Sequence, residues 1–428
     1  MLSMNAPATL ADAVAEATER YVSRNPASRA RFAAAAASMP GGNTRTSLFH
    51  EPFPLCMASG SGCRVVDVDG HRYIDLLGEF TAGIFGHSPE PLKQAIRDAL
   101  DAGINLSSHN QLEGQLAELI CARFASMELL RFTNSGTEAN LMALAAAKAF
   151  TGRGKVLVFE GSYHGGVLSF PKNAARANVP HPFLLAPYND LAAARARLDE
   201  NRADVAAILV EPMLGAGGCV PGEAEFLHGL RAAATEAGAI LIFDEVQTSR
   251  LAVGGRQSQL GITPDLTTIG KFFGGGLAFG CFGGRREIMQ LFDPRRPDAL
   301  GHAGTFNNNT LTMAAGIAAV TKLLTADNLA AVNARGETLR GDMNALFAAR
   351  AAPYRVSGLG SLMTIHPTGA AGDTDALRRL LFFDLVERGI YMAMRGLIAL
   401  SFPVGDAETK ALLAALDDLL QARATVLH

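Results

Sequence analysis

No two of the five cysteines, Cys56, Cys63, Cys121, Cys219 and Cys281, are spaced as C-x-x-C, and their number is odd. That pattern excludes a zinc ribbon and a disulfide framework and points to reduced thiols. No run reaches the roughly 18 consecutive apolar residues that a helical membrane span needs. There is no block of lysine and arginine and no alternation of basic and aromatic residues, and the formal net charge is only −3. Nucleic acid and membrane surfaces are therefore poor partners. The opening MLSMNAPATLADAVAEATER carries acidic residues and lacks the uninterrupted apolar core of a signal peptide. The expected compartment is the cytoplasm, and no metal site is expected.

What the sequence does have is burial potential. Apolar residues make up 49% of the 428 and charged residues 18%, the balance of a well-buried globule too long for one ordinary core. Residues 7–39 read as helical and stop at Pro40-Gly41-Gly42. CRVVDVDGHRYIDLLG (63–78) places two alternating apolar runs around Asp69-Gly70, a hairpin signal. Between about 90 and 300, helical segments alternate with continuous apolar runs: KVLVF (155–159), AAILV (206–210), AILIF (239–243) and DLTTIG (265–270). Continuous apolar runs suit strands covered on both faces, hence a mostly parallel sheet between helices. From about 311 a long helical stretch leads into mixed strands and helices. The expected class is α/β, with a large lobe over 76–315 and a smaller α+β lobe built from 1–75 and 316–428.

Several motifs sit where such a sheet holds ligands. In FTNSGTEANLMALAAAKAF (132–150), an apolar pair runs into Asn134-Ser135-Gly136-Thr137 and then a helix. Ser135 and Glu138 fit a capping box, and Gly136 equally fits a helix start open to a phosphate. GSYHGG (161–166) puts Tyr163 and His164 after a strand, at the end that lines the crevice of α/β sheets. Glu211 in EPMLGAGG and Asp244 in ILIFDEV each follow an apolar run; a carboxylate there is unfavourable unless paired. Lys271 follows the next run, where partial desolvation lowers an amine's pKa toward the neutral form needed for Schiff-base chemistry. Read singly, each of these residues is equally a cap, an ion pair or a surface side chain. GAGGCV lacks the third glycine of the dinucleotide fingerprint, and IGKFF lacks the upstream glycine of a phosphate-binding P-loop.

The order of NSGTEAN, YHGG, EP, FDEV and GK followed by GGG, spread over nearly the whole chain, resembles the fold-type I pyridoxal-phosphate enzymes. Within them it is most similar to the class III aminotransferases. The resemblance implies a large domain with a mostly parallel seven-stranded sheet, pyridoxal 5'-phosphate as cofactor, and a homodimer with shared active sites. It implies Lys271 as the residue that holds the cofactor covalently and shuttles the proton, and Asp244 as partner of the pyridine nitrogen, making the ring an electron sink. Tyr163 would stack on that ring, Ser135, Gly136 and Thr137 would hold the phosphate, and Glu211, Val246 and Gln247 would complete the cofactor site. GTFNNNT (304–310) stands where the family has Gly-Thr-x-x-x-Asn-Pro, so Thr305 would reach the neighbouring subunit's phosphate. Here Thr310 replaces the proline.

For the substrate, MPGGNTRTSLF (39–49) resembles the glutamate-1-semialdehyde aminomutases, but with Arg45 and Phe49 in the segment; Arg395 stands in YMAMRG. A guanidinium recognises a carboxylate bidentately, and a transaminase must accept two different acids. GHSPE, INLSSHN, LVEPM and the motifs above look closest to β-amino-acid aminotransferases active on β-phenylalanine. That resemblance implies transfer of an amino group from an aromatic β-amino acid to 2-oxoglutarate or pyruvate, with Arg45 and Arg395 on the substrate side. The rival readings are an aminomutase-like isomerase and a catalytically silent regulator with the same fold.

Overall fold

The computed structural model describes residues 9–171, 176–370 and 372–427. The chain forms two compact units, one of Met1–Pro89 with Ala334–His428 and one of Glu90–Asn333.

In the second unit, seven strands make one sheet in the order Leu129–Thr133, Gly280–Gly284, Leu266–Gly270, Ile240–Asp244, Val205–Val210, Lys155–Phe159 and Phe183–Ala186. All neighbouring pairs are parallel except those of Gly280–Gly284, which runs antiparallel to both of its neighbours. The apolar runs are continuous because both faces are covered. Val156, Val158, Leu209 and Ile242 pack with Ala139, Ala143 and Ala147 of the Gly136–Thr151 helix. Their chain neighbours Leu157, Ile208, Val210 and Phe243 pack on the other side with Leu227 and Leu230 of the Ala224–Ala237 helix. Each large apolar side chain so buried contributes about 1.5–3 kcal/mol.

The Gly280–Gly284 strand has no such apolar signature. Glycine is needed at its start, where a Cβ on Gly280 would lie 2.1 Å from Ser135 O. The strand thereby lets the Ser135 turn close against the sheet.

In the other unit, the helical stretch expected over 7–39 is two helices, Leu10–Arg24 and Pro26–Ala36. The break falls at Asn25-Pro26, because proline cannot donate to the preceding turn and instead takes the first helical position. The hairpin is present: Arg64–Asp67 pairs antiparallel with Arg72–Asp75 across Asp69-Gly70. Met57–Ser61 and the parallel Ile390–Tyr391 complete this four-stranded sheet. A second, three-stranded sheet joins Tyr354–Leu359, Leu362–Pro367 and Leu397–Ala399.

The units divide after Pro89 and Asn333, not at 75/76 and 315/316. Leu76–Pro89 stays with the first unit because Ala399 N–H donates to Leu76 O and Phe402 N–H to Ile84 O, each at 2.7 Å. The segment after 315 stays with the second, where Arg123 Nη1 donates to Leu324 O at 2.8 Å. No single helix among the described residues is long and apolar enough to cross a membrane.

Candidate active site

Three adjacent strands, Val205–Val210, Ile240–Asp244 and Leu266–Gly270, end in or directly before Glu211, Asp244 and Lys271. Two of these groups are carboxylates and one is an amine, so their surroundings decide what each can do.

Asp244 is 5% exposed and fully hydrogen-bonded. Its Oδ2 accepts from Asn140 Nδ2 and from His164 Nδ1, both at 2.8 Å, and its Oδ1 accepts from Val246 N–H at 3.0 Å. Asn140 is fixed in turn by Thr268 Oγ1, which donates to its Oδ1 at 2.7 Å, while its Nδ2 also donates to His164 O at 3.0 Å. A carboxylate held by three donors has one orientation. Sequence alone marks Asp244 but assigns no such role to Asn140 or His164. The available signal was a buried asparagine within the alanine-rich face of the Gly136–Thr151 helix.

Glu245, beside it, does something else. It accepts from Thr248 Oγ1, from Arg256 N–H at 3.0 Å and from Gln257 N–H at 2.7 Å, tying down the start of the Gly255–Leu260 helix. Of the two acids that end ILIFDEV, this one is architectural.

Glu211 is also buried. Its oxygens accept from Tyr163 N–H at 2.9 Å and Gly215 N–H at 3.0 Å, so it fixes the backbone of the segment that carries Tyr163. Burial pushes its carboxyl up to about 7; nearby His164 opposes that shift and Asp244 adds to it. Below the ordinary value of 4.5 the carboxyl is protonated whether the chain is folded or not. Between there and about 7 only the unfolded chain releases the proton, so stability falls as pH rises through this window. Relative to Glu211→Gln, the wild type is expected to lose on the order of 2 kcal/mol between pH 5 and 8. Urea unfolding at the two pH values checks this, and a constant difference would refute it.

At the Gly136–Thr151 helix, Ser135 is the N-cap, its Oγ accepting from Glu138 N–H at 3.2 Å. The reciprocal half of the expected capping box is displaced. Glu138 Oε2 accepts from Asn134 N–H at 2.8 Å, one residue earlier, and Asn134 Nδ2 donates to Asn307 Oδ1 at 3.0 Å. The N–H groups of Gly136 and Thr137 precede the first intrahelical bond, Ala139 to Ser135 at 3.0 Å, and so point out of the helix start. Gly165 of YHGG crosses Thr137 closely: a Cβ there would lie 2.2 Å from Thr137 Oγ1. Val246 lies against the same turn, 3.0 Å from a Cβ built on Gly136. Tyr163 leaves 44% of its surface exposed. Gln247 Oε1 and His164 Nε2 are buried and have no hydrogen-bond partner among the described residues.

Thr305 is exposed in a turn, and Asn309 caps the following Thr310–Ala318 helix through Leu311 and Thr312 N–H. Thr310, in place of the family's proline, donates through Oγ1 to Gly103 O at 3.1 Å, which a proline could not do. Arg45 and Arg395 belong to the other unit, where they meet at one ring: their guanidinium carbons lie 5.5 Å and 5.1 Å from the Phe80 centroid. Phe80 was not foreseen from sequence.

The pattern described as aminotransferase class-III matches residues 47–420. β-Phenylalanine transaminase of Variovorax paradoxus is 49% identical, over 98% of this chain and 98% of its own. The crystal structure of a β-phenylalanine aminotransferase from Variovorax paradoxus matches with a TM-score of 0.96 at 49% identity, covering 98% of this chain and 99% of that one. Glutamate-1-semialdehyde 2,1-aminomutase 2 of Lachnoclostridium phytofermentans is 37% identical, over 85% of this chain and 91% of its own.

Proposed function

The chain belongs to the class III aminotransferases, and from that membership we propose that it moves the amino group of an aromatic β-amino acid, of the β-phenylalanine kind, to 2-oxoglutarate or pyruvate. The carrying observation is the end-to-end likeness to a β-phenylalanine transaminase. The aminomutase likeness is weaker in identity and in extent.

Class III aminotransferases use pyridoxal 5'-phosphate, and the residues present fit it. The open helix start at Gly136 and Thr137 suits a phosphate, and the oriented Asp244 carboxylate suits a protonated ring nitrogen. The unpartnered Gln247 and His164 atoms suit a polar aromatic ligand. When bound, the cofactor supplies an electron sink for negative charge developing at the amine-bearing carbon.

This chain's own residues do the rest. Ser135, Gly136 and Thr137 hold the phosphate through first-turn N–H groups and the helix dipole. Tyr163 covers the ring, while Glu211 fixes the segment that carries it. Asp244 keeps a proton on the ring nitrogen, and Asn140, His164 and Val246 N–H keep Asp244 aimed. Lys271 Nζ carries the proton from the amine-bearing carbon.

A β-amino acid places its carboxylate one carbon farther from the amine than an α-amino acid does. A single arginine fixed for α-acids would misplace the reacting amine, and about 1 Å of misplacement can reduce the rate on the order of 100-fold. Arg45 therefore takes the β-acid carboxylate and Arg395 the keto acid. Arg45→Ala is expected to impair the β-amino-acid half-reaction most, and Arg395→Ala the 2-oxoglutarate half. Stopped-flow measurement of the two halves checks this; equal damage to both by each variant would refute the division. A wild-type panel of α-, β- and ω-amines tests the donor class itself.

The assembly we propose is a homodimer in which Thr305 serves the neighbouring subunit's phosphate. Its support is an exposed apolar set beside that turn: Leu100, Ile104, Leu106 and Phe306 are 55%, 40%, 51% and 58% exposed. Asn308 Nδ2 ties the turn to Ser108 O at 3.2 Å, so these residues share one neighbourhood, as an interface patch does. Light scattering should give twice the chain mass; a fully active monomer would rule out sharing. The cytoplasm is the compartment proposed, and cell fractionation checks it.

A further inference from the structure

Four consecutive residues of the Met1–Pro89 and Ala334–His428 unit are left-handed: Gly78 at φ 53°, Glu79 at 47°, Phe80 at 51° and Thr81 at 80°. Three of the four carry a Cβ, which makes this conformation unfavourable at each of them, and such strain persists only where surrounding bonds impose it. Here Asp75 Oδ1 accepts from Leu77 and Gly78 N–H at 2.9 and 3.1 Å, Gly83 N–H donates to Gly78 O at 2.8 Å, and Thr81 is fully buried. The other oxygen of Asp75 is held by His87 Nε2 at 3.0 Å.

The result of this forced turn is that two adjacent side chains, Glu79 and Phe80, both engage Arg45. Glu79 Oε1 accepts from Arg45 Nη2 at 2.7 Å, and the Phe80 ring lies under the guanidinium. Phe80 also lies under Arg395. Arg45 is positioned from its own side by Asn43, whose Oδ1 accepts the Arg45 N–H at 3.0 Å. The Arg45–Glu79 pair is open to solvent, with 43% and 61% of the two side chains exposed. A pair of that kind contributes little net stability, so the turn is held by its buried bonds and not by this pair, which is free to exchange.

We propose that Glu79 is a resident carboxylate on Arg45, which the carboxylate of the amino donor displaces, so that Glu79 lowers the affinity for carboxylate-bearing donors and for them alone. The inference rests on Arg45 being the donor's carboxylate site. Exchange of one carboxylate for another leaves the guanidinium paired throughout, and Phe80 holds its plane while partners change. Once displaced, Glu79 remains tethered nearby by the turn. Its charge then opposes the incoming acid by repulsion as well as by competition.

The test uses the holoenzyme and 3-phenylpropanoate, the donor skeleton without its amine, titrated by calorimetry. Glu79→Gln should tighten its binding about two- to five-fold, the range available from an exposed ion pair. The KM for β-phenylalanine should fall in parallel at unchanged kcat, and the KM for α-methylbenzylamine, which has no carboxylate, should not move. Glu79→Asp, which keeps the charge, should bind 3-phenylpropanoate within the error of the wild type. Arg45→Ala separates the two ideas. If it weakens 3-phenylpropanoate while Glu79→Gln binds equally or less tightly, Glu79 is not a competitor and the proposal falls alone. If Arg45→Ala leaves 3-phenylpropanoate binding unchanged, the arginine assignment fails and takes this proposal with it.

Discussion

Lys271→Ala is expected to lower kcat by on the order of 10⁴-fold, because general acid–base transfer and covalent attachment are lost together. Borohydride treatment should no longer fix the cofactor to the chain, as intact mass would show. The location favours this lysine. It is the first residue after the Leu266–Gly270 strand and opens a short turn over Lys271–Gly274. A Cβ built on the preceding Gly270 would lie 3.5 Å from Val246 Cγ1 and 3.6 Å from Gly136 Cα. The lysine thus emerges beside both the helix start and Val246, two residues past the end of the Asp244 strand. Its own φ is 55°, a left-handed value unusual for a residue with a Cβ. Alanine bears the same backbone penalty as lysine, so the turn itself should be kept. A loss of turnover at constant stability would then belong to the amine itself. Retained turnover would remove Lys271 from the chemistry.

The parallel strands were legible because burial on both faces leaves continuous apolar runs, as in Lys155–Phe159 and Ile240–Asp244. Gly280–Gly284 was not, because its glycines answer to a neighbouring turn rather than to strand propensity. The helix break at Pro26 was available from the residue alone and was outweighed by the alanine-rich pattern around it. At the site, charged residues ending apolar runs stood out by their own incongruity, which made Asp244 and Lys271 candidates, while the roles proposed for them came from the resemblance carried by the order of the motifs. Their partners did not stand out. Asn140 lies 104 residues before Asp244 and meets it only through the packing of a helix on the sheet. Arg45 and Arg395 converge on Phe80 through a strained turn that no local pattern announces.

The other large effect is expected at Asp244. Asp244→Asn should retain the cofactor but lose about 10²–10³-fold in kcat, the usual consequence of removing one preorganised charge from a reacting centre. The variant keeps the shape while changing two things. Asparagine offers one acceptor oxygen where aspartate offers two. Turned toward Asn140 Nδ2 and His164 Nδ1, that oxygen preserves both contacts and leaves the amide NH₂ facing Val246 N–H. Two opposed donors at a buried position are unfavourable by about 1–3 kcal/mol, enough to lower the unfolding midpoint measurably without unfolding the chain. The charge is the larger loss, since a neutral amide has no preference for a protonated ring nitrogen. Stability and turnover can be separated with Asn140→Ala, which removes one donor of the same network from the helix side and leaves the Asp244 carboxylate charged and still held by His164 and Val246 N–H. If Asn140→Ala is destabilised yet retains much more turnover than Asp244→Asn, the charge carries the effect. Near-wild-type turnover in Asp244→Asn would remove Asp244 from the reacting centre and leave its three hydrogen bonds as packing alone.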